Sequence, residues 1–175
     1  MGIVAIIKRV FGIGTPETDV SGLPGSRRRK PRLNARGGMR VLVIDDSKTV
    51  IALLSRMLQQ NGYQVQGAED AKTGLEIAEH ECPDLIFLDI VLPGMSGFEA
   101  LRHLRREPST RAIPIIMMSG NEQATEQFYV QKIGADDFMK KPFSRAEVFA
   151  RIERLLDHTL LPQRSVRASA APAVD

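Results

Sequence analysis

Five polar residues stand just past the ends of four apolar runs. Asp45-Asp46 follow Val-Leu-Val-Ile, Asp89 follows Leu-Ile-Phe-Leu, Ser119 follows Ile-Ile-Met-Met, and Lys141 follows Phe138-Met139-Lys140. If the runs are parallel strands of one sheet, all five residues converge on one edge. Three carboxylates, a hydroxyl and an ammonium gathered there suit a divalent cation and a phosphoryl group. A carboxylate such as Asp89 can attack phosphorus and hold the group as a labile acyl phosphate. Asp45, Asp46 and Asp89 would repel one another unless a cation joined them, and Mg²⁺ is the hard, oxygen-preferring choice beside phosphate. Lys141 would neutralise one phosphoryl oxygen as a point charge, and Ser119 would donate a hydrogen bond to another. Phosphoryl transfer needs mainly positioning and charge neutralisation, and this set supplies both.

Parallel strands must place these residues, and the pattern between 41 and 158 supplies them. Val41–Ile44, Leu85–Leu88 and Ile115–Met118 are unbroken apolar runs, as expected of strands buried on both faces. Gln64–Gln66 and Asp136–Met139 are shorter and more polar, as expected of edges. Helical periodicity lies between them: Val50, Ile51, Leu53, Leu54, Met57 and Leu58 form one face, and Val148, Phe149, Ile152, Leu155 and Leu156 another. Ala71/Leu75/Ala78 and Phe98/Leu101/Leu104 repeat the pattern more briefly, and 124–133 carries it least regularly. Five strand–helix units predict an α/β, doubly wound, five-stranded parallel sheet of order 2-1-3-4-5, the flavodoxin-like arrangement. Such sheets bind ligands outside the carboxyl ends of their strands, where the five residues fall.

Composition bounds the rest. The chain has 175 residues, 43% apolar and 26% charged, within the range of ordinary globular proteins. The lone Cys82 allows no internal disulfide, and no stretch nears the roughly 20 apolar residues of a membrane span, so a cytoplasmic protein is expected. Cys82, before Pro83, reads as a small buried residue; His80, His103 and His158 read as solvated helix positions. The net charge of +3 is unevenly spread. Residues 1–40 hold nine Lys/Arg against two acids, whereas 41–158 hold thirteen against eighteen. The basic balance belongs to the extension, so it does not make the domain a nucleic-acid binder.

Residues 1–38 read as a basic, flexible extension, 39–158 as the domain and 159–175 as a disordered tail. Within the extension, Ile3, Val4, Ile6, Ile7, Val10, Phe11 and Ile13 have helical spacing with Lys8-Arg9 opposite, a pattern suited to a membrane surface or a partner. Met39, directly before Arg40-Val41, offers an alternative start.

The segments Val43-Ile44-Asp45-Asp46-Ser47, Leu88-Asp89-Ile90-Val91-Leu92-Pro93-Gly94-Met95-Ser96-Gly97 and Phe138-Met139-Lys140-Lys141-Pro142-Phe143 together resemble a response-regulator receiver domain. The resemblance covers about 40–158 with every motif in order. It implies phosphorylation of Asp89 by a histidine kinase, with Mg²⁺ held by Asp46, Asp89 and the backbone carbonyl of Val91, and Asp45 assisting. It also implies a cis peptide between Lys141 and Pro142. Ser119 and Phe138 take the places of the family's switch pair, whose hydroxyl moves toward the phosphoryl group as the aromatic ring turns inward. The readout surface would be the face of the fourth helix, fifth strand and fifth helix. Many members carry Thr at the place of Ser119 and Tyr at that of Phe138; the first exchange keeps the hydroxyl, the second removes one. Val91 and Asn121 flank the site, where they would tune phosphoryl lifetime.

Only fourteen residues follow Leu161, too few for an output domain. The expectation is a non-enzymatic single-domain receiver, its chemistry limited to self-catalysed phosphorylation and dephosphorylation of Asp89. It would act through phosphorylation-dependent protein–protein contact, as in chemotaxis or twitching-motility signalling, or as an intermediate carrier in a phosphorelay. No small-molecule substrate is expected. An aspartate-based phosphatase of the haloacid-dehalogenase type needs a second Asp two residues after the nucleophile; Val91 stands there and excludes it. A nucleic-acid binder led by Arg27–Lys30 would show steep salt dependence lost on deleting 1–38. An intact site argues against a receiver that signals without phosphate.

Overall fold

A computed structural model describes residues 35–120 and 134–165, all within a compact unit spanning Arg32–Asp175. The helix expected over 124–133, Asn121, and the extension segment 3–13 lie outside the described residues. Five strands alternate with four described helices: β1 Arg40–Ile44, α1 Lys48–Gln59, β2 Gln64–Ala68, α2 Ala71–Glu81, β3 Leu85–Asp89, α3 Gly97–Arg106, β4 Ile115–Ser119, β5 Asp137–Lys140 and α4 Arg145–Leu155. The strands pair in parallel in the order β2-β1-β3-β4-β5. The expected fold class is therefore the observed one, with the apolar runs central and the polar runs at the edges.

The sheet alternation explains why the central runs are apolar throughout. Leu42, Ile44, Ile86, Leu88, Ile115 and Met117 pack on one face with Ala78 of α2 and Leu101 and Leu104 of α3. Val41, Val43, Phe87, Ile116, Met118 and Met139 pack on the other with Leu54 and Leu58 of α1 and Val148 and Ile152 of α4. Successive residues of a strand point to opposite faces, so two covered faces demand apolar side chains at every position. β2 has one covered edge only, and its Gln64, Gln66 and Gly67 are exposed. No described helix is long and apolar enough to cross a membrane.

The helices begin at side-chain caps. Ser47, Asp70, Ser96 and Ser144 accept hydrogen bonds from backbone N–H groups of the first turns of α1, α2, α3 and α4. Each satisfies a donor that has no partner inside its helix.

Three expectations need correction. The packed structure includes residues before 39: Ala35 is buried and its N–H donates to Tyr63 Oη at 3.2 Å, and Gly38 N–H donates to Gly62 O at 3.0 Å. It also runs past 158, because Leu156 and Pro162 form an antiparallel bridge and Ser165 N–H donates to Asp136 Oδ1 at 2.8 Å. Backbone hydrogen bonding, which composition does not report, holds these stretches. Cys82 is exposed rather than buried: it is the C-cap of α2, at φ 45°, and Pro83 takes the buried position after it. His80, His103 and His158 are all exposed as expected, though His158 lies beyond the end of α4.

Candidate functional site

The parallel sheet brings the carboxyl ends of β1, β3, β4 and β5 to one edge. Ile44 is in register with Leu88, Asp89 with Met118, and Ser119 with Lys140. The residues directly after Ile44 and Lys140 are Asp45 and Lys141, so four strands deliver the site residues side by side. Oxygens of Asp45, Asp46 and Asp89 all lie within 4.8 Å of one another. Asp45, Asp89 and Ser119 are buried, whereas Asp46 is exposed at the rim.

Lys141 lies between two of the carboxylates. Its Nζ is 2.6 Å from Asp45 Oδ2 and 3.0 Å from Asp89 Oδ2. The Lys141–Pro142 peptide is cis, as the resemblance implied. Burial alone would pull the lysine down, but hydrogen bonds and charge from Asp45 and Asp89 outweigh it and hold the ammonium above its ordinary range. Asp89 is pushed up from the usual carboxylate range, mainly by burial; Lys141 opposes the rise, the charge of Asp45 adds to it, and the N–H of Val91 opposes it by hydrogen bonding. The nucleophile candidate is thus desolvated and held by one cation and one backbone donor.

Asp45 is oriented from its other side. Ser47 N–H donates to its Oδ1 at 3.0 Å, turning Oδ2 inward. That oxygen is buried, and the Lys141 ammonium is its one partner among the described residues. A buried carboxylate oxygen in that state retains capacity for a further cation. The donor set around it is entirely oxygen, and the exposed Asp46 leaves one side open to water. These features fit Mg²⁺, a hard ion that keeps several waters and takes one or two carboxylates. Asp45, Asp46, Asp89 and the Val91 carbonyl would hold it.

Phe138 is 8% exposed and already packed in the core with Met117 and Ala135, so the ring points inward in this structure. Val91 is 68% exposed, at the crest of the loop between β3 and α3. All seven candidate residues are therefore described, six at the edge and Phe138 beneath it, in β5. Sequence reasoning passed over Gly97. A Cβ built there would overlap the carbonyl oxygen of Asp89 and come within 2.9 Å of Ile90 Cα. The signal was present: Ser96 and Glu99 form a capping box, which puts a glycine at the first helical position, where the helix gains nothing from it.

The family model described as the response regulator receiver domain matches residues 41–153. Protein PilH of Pseudomonas aeruginosa is 37% identical over 117 residues, 67% of this chain and 97% of that protein. The phosphate regulon transcriptional regulatory protein PhoB of Escherichia coli is 38% identical over 117 residues, 67% of this chain but only 51% of PhoB, so the likeness spans about half that relative. Among solved structures, chemotaxis protein CheY4 of Vibrio cholerae matches with a TM-score of 0.65 at 28% identity, covering 69% of this chain and 100% of CheY4. A response regulator from Chloroflexus aurantiacus matches with a TM-score of 0.64 at 28% identity, covering 67% and 96%.

Proposed function

This chain belongs to the response regulator receiver family, and from that premise we propose that it is a cytoplasmic signalling switch which accepts a phosphoryl group on Asp89 from a histidine kinase. The observation that carries the reading is the desolvated Asp89 carboxylate, 3.0 Å from the Lys141 ammonium and within 4.8 Å of the Asp45 and Asp46 carboxylates. An oxygen of Asp89 attacks phosphorus, the bond from phosphorus to the donor nitrogen breaks, and the donor imidazole keeps the electron pair. Lys141 pairs with the phosphoryl oxygens in place of the Asp89 oxygen that has formed the new bond. Ser119 donates its hydroxyl to the same group. Mg²⁺, when bound, supplies neutralisation of the phosphoryl charge in a site that otherwise holds three carboxylates against one ammonium.

The reported state passes to a protein partner. Ser119 ends β4 and Phe138 lies on the neighbouring β5, so a shift of the hydroxyl toward the phosphoryl group repacks the strand that carries the ring. β5 and α4 would present this change, with Phe138 offering a partner no phenolic hydroxyl. The match takes in 97% of PilH, which supports a reading in which the receiver itself carries the signal to a partner. Val91, where a phosphatase would need a general acid, supports a held phosphoryl group over steady turnover of small substrates.

The test is incubation of the purified chain with Mg²⁺ and acetyl phosphate. An acid-stable, base-labile adduct on the wild type and none on Asp89→Asn is expected. No adduct on the wild type, or equal adducts on both, would refute the proposal.

A further inference from the structure

The loop from Ile90 to Ser96 leaves β3 and returns to the same point. Gly97 N–H donates to Ile90 O at 2.9 Å, Ile90 N–H donates to Met118 O at 2.9 Å, and Gly97 Cα lies against the Asp89 carbonyl so closely that a Cβ would overlap it. Ile90 and Leu92 are buried, 5% and 8% exposed, and pin the loop's two flanks to the core. Val91, between them, points its side chain to solvent and gives its N–H to the Asp89 carboxylate. The neck of this loop therefore governs where the Val91 peptide groups stand relative to Asp89.

What a Cβ at Gly97 would meet is backbone, which cannot swing away as a side-chain end can. To admit it, the start of α3 must move back or the Asp89–Ile90 peptide must tilt, and either motion carries Val91 with it. The Ser96–Glu99 capping box fixes the start of α3, with Ser96 N–H donating to Glu99 Oε2 at 2.9 Å and the Ser96 hydroxyl to the same oxygen at 2.7 Å, so the strain is directed toward the loop. We infer that Gly97 is a positioning residue for the cation site: by letting α3 touch the backbone of Asp89, it sets the loop neck that holds the Val91 peptide beside the Asp89 carboxylate. This rests on the Mg²⁺ reading of that cluster.

The experiment titrates Mg²⁺ alone into the full chain and reads its dissociation constant by calorimetry, together with the Val91 amide resonance, at a temperature where every variant is folded. Gly97→Ala is expected to weaken Mg²⁺ at least about tenfold and to shift the Val91 amide before any metal is added. Ser96→Ala weakens the same helix end without touching Asp89, and its constant is expected to stay within about twofold of wild type. Inserting one glycine after Gly94 lengthens the loop with no overlap at the neck, and is expected to weaken Mg²⁺ as much as Gly97→Ala. A folded Gly97→Ala with the wild-type constant would overturn the inference, as would equal losses in Ser96→Ala and Gly97→Ala. Should Gly97→Ala not fold, wild-type affinity in the insertion variant would overturn it alone. A wild type that binds no Mg²⁺ would remove the cation-site reading itself, and this inference with it.

Discussion

Lys141 is the residue on which the resting site turns. Its ammonium touches both buried carboxylates, Asp45 and Asp89, and so occupies part of the charge well that a divalent ion would enter. Removing it has two opposed effects. The Lys141→Ala variant should bind Mg²⁺ about tenfold more tightly or better, because one nearby positive charge is gone, and should label with acetyl phosphate more slowly, because the phosphoryl oxygens lose their partner. Calorimetry and labelling rates on one preparation check both; weaker Mg²⁺ binding would contradict this role. Residues of this kind were legible in the sequence because each follows an apolar run, and strand periodicity alone fixes where such residues fall. Gly97 was not, since its demand arises from a neighbour eight positions away reached only when β3 and α3 close on each other. Cys82 was misread for a related reason: a helix C-cap is exposed by the turn it makes, whatever the residue's preference for burial.

At the scale of elements, sequence patterns reported burial better than boundaries. β1, β3 and β4 were plain because both sheet faces are covered, while β2 and β5 were short in pattern because an edge strand needs fewer apolar positions. Local capping chemistry completes the helices. In α3 the Ser96 hydroxyl and backbone N–H hold the Glu99 carboxyl below its usual value of 4.5. A carboxyl lowered in the folded state adds stability that is present above its unfolded pKa and lost as pH falls through the folded one. The Glu99 carboxyl resonance should accordingly titrate below 4.5 in the wild type and move up toward that value in Ser96→Ala. The same variant should lose about 1 kcal/mol in urea unfolding, the usual worth of an N-cap. A Glu99 midpoint at or above 4.5 in the wild type would show that the capping box does not persist in solution.

For the whole molecule, a buried ionic clamp binds the end of the sheet opposite the site. Arg105 donates from Nε to Gly134 O at 2.9 Å, from Nη1 to Ile113 O at 2.8 Å and from Nη2 to Asp136 Oδ2 at 2.8 Å. Asp136 also accepts from Ile115 N–H at 2.9 Å and Ser165 N–H at 2.8 Å, joining α3, the start of β4, the approach to β5 and the C-terminal segment. Burial pulls Arg105 down to about 10 despite Asp136, and pushes the Asp136 carboxyl up despite Arg105. Breaking such a pair leaves a buried charge without its partner, so Asp136→Ala should cost about 3–5 kcal/mol in urea unfolding; a loss under about 1 kcal/mol would mean that the clamp opens to water. Nothing in the sequence announced this clamp, because its partners are 31 and 29 positions apart and the Pro-, Ala- and Ser-rich end reads as tail. Chemical trapping shows whether Asp89 carries the phosphoryl group. After incubation with Mg²⁺ and acetyl phosphate, borohydride reduces an acyl phosphate to the alcohol, and peptide mass spectrometry finds the altered residue. Conversion is expected at Asp89 alone and only with Mg²⁺; conversion at Asp45 or Asp46, or none at all, would show that Asp89 is not the phosphoryl acceptor.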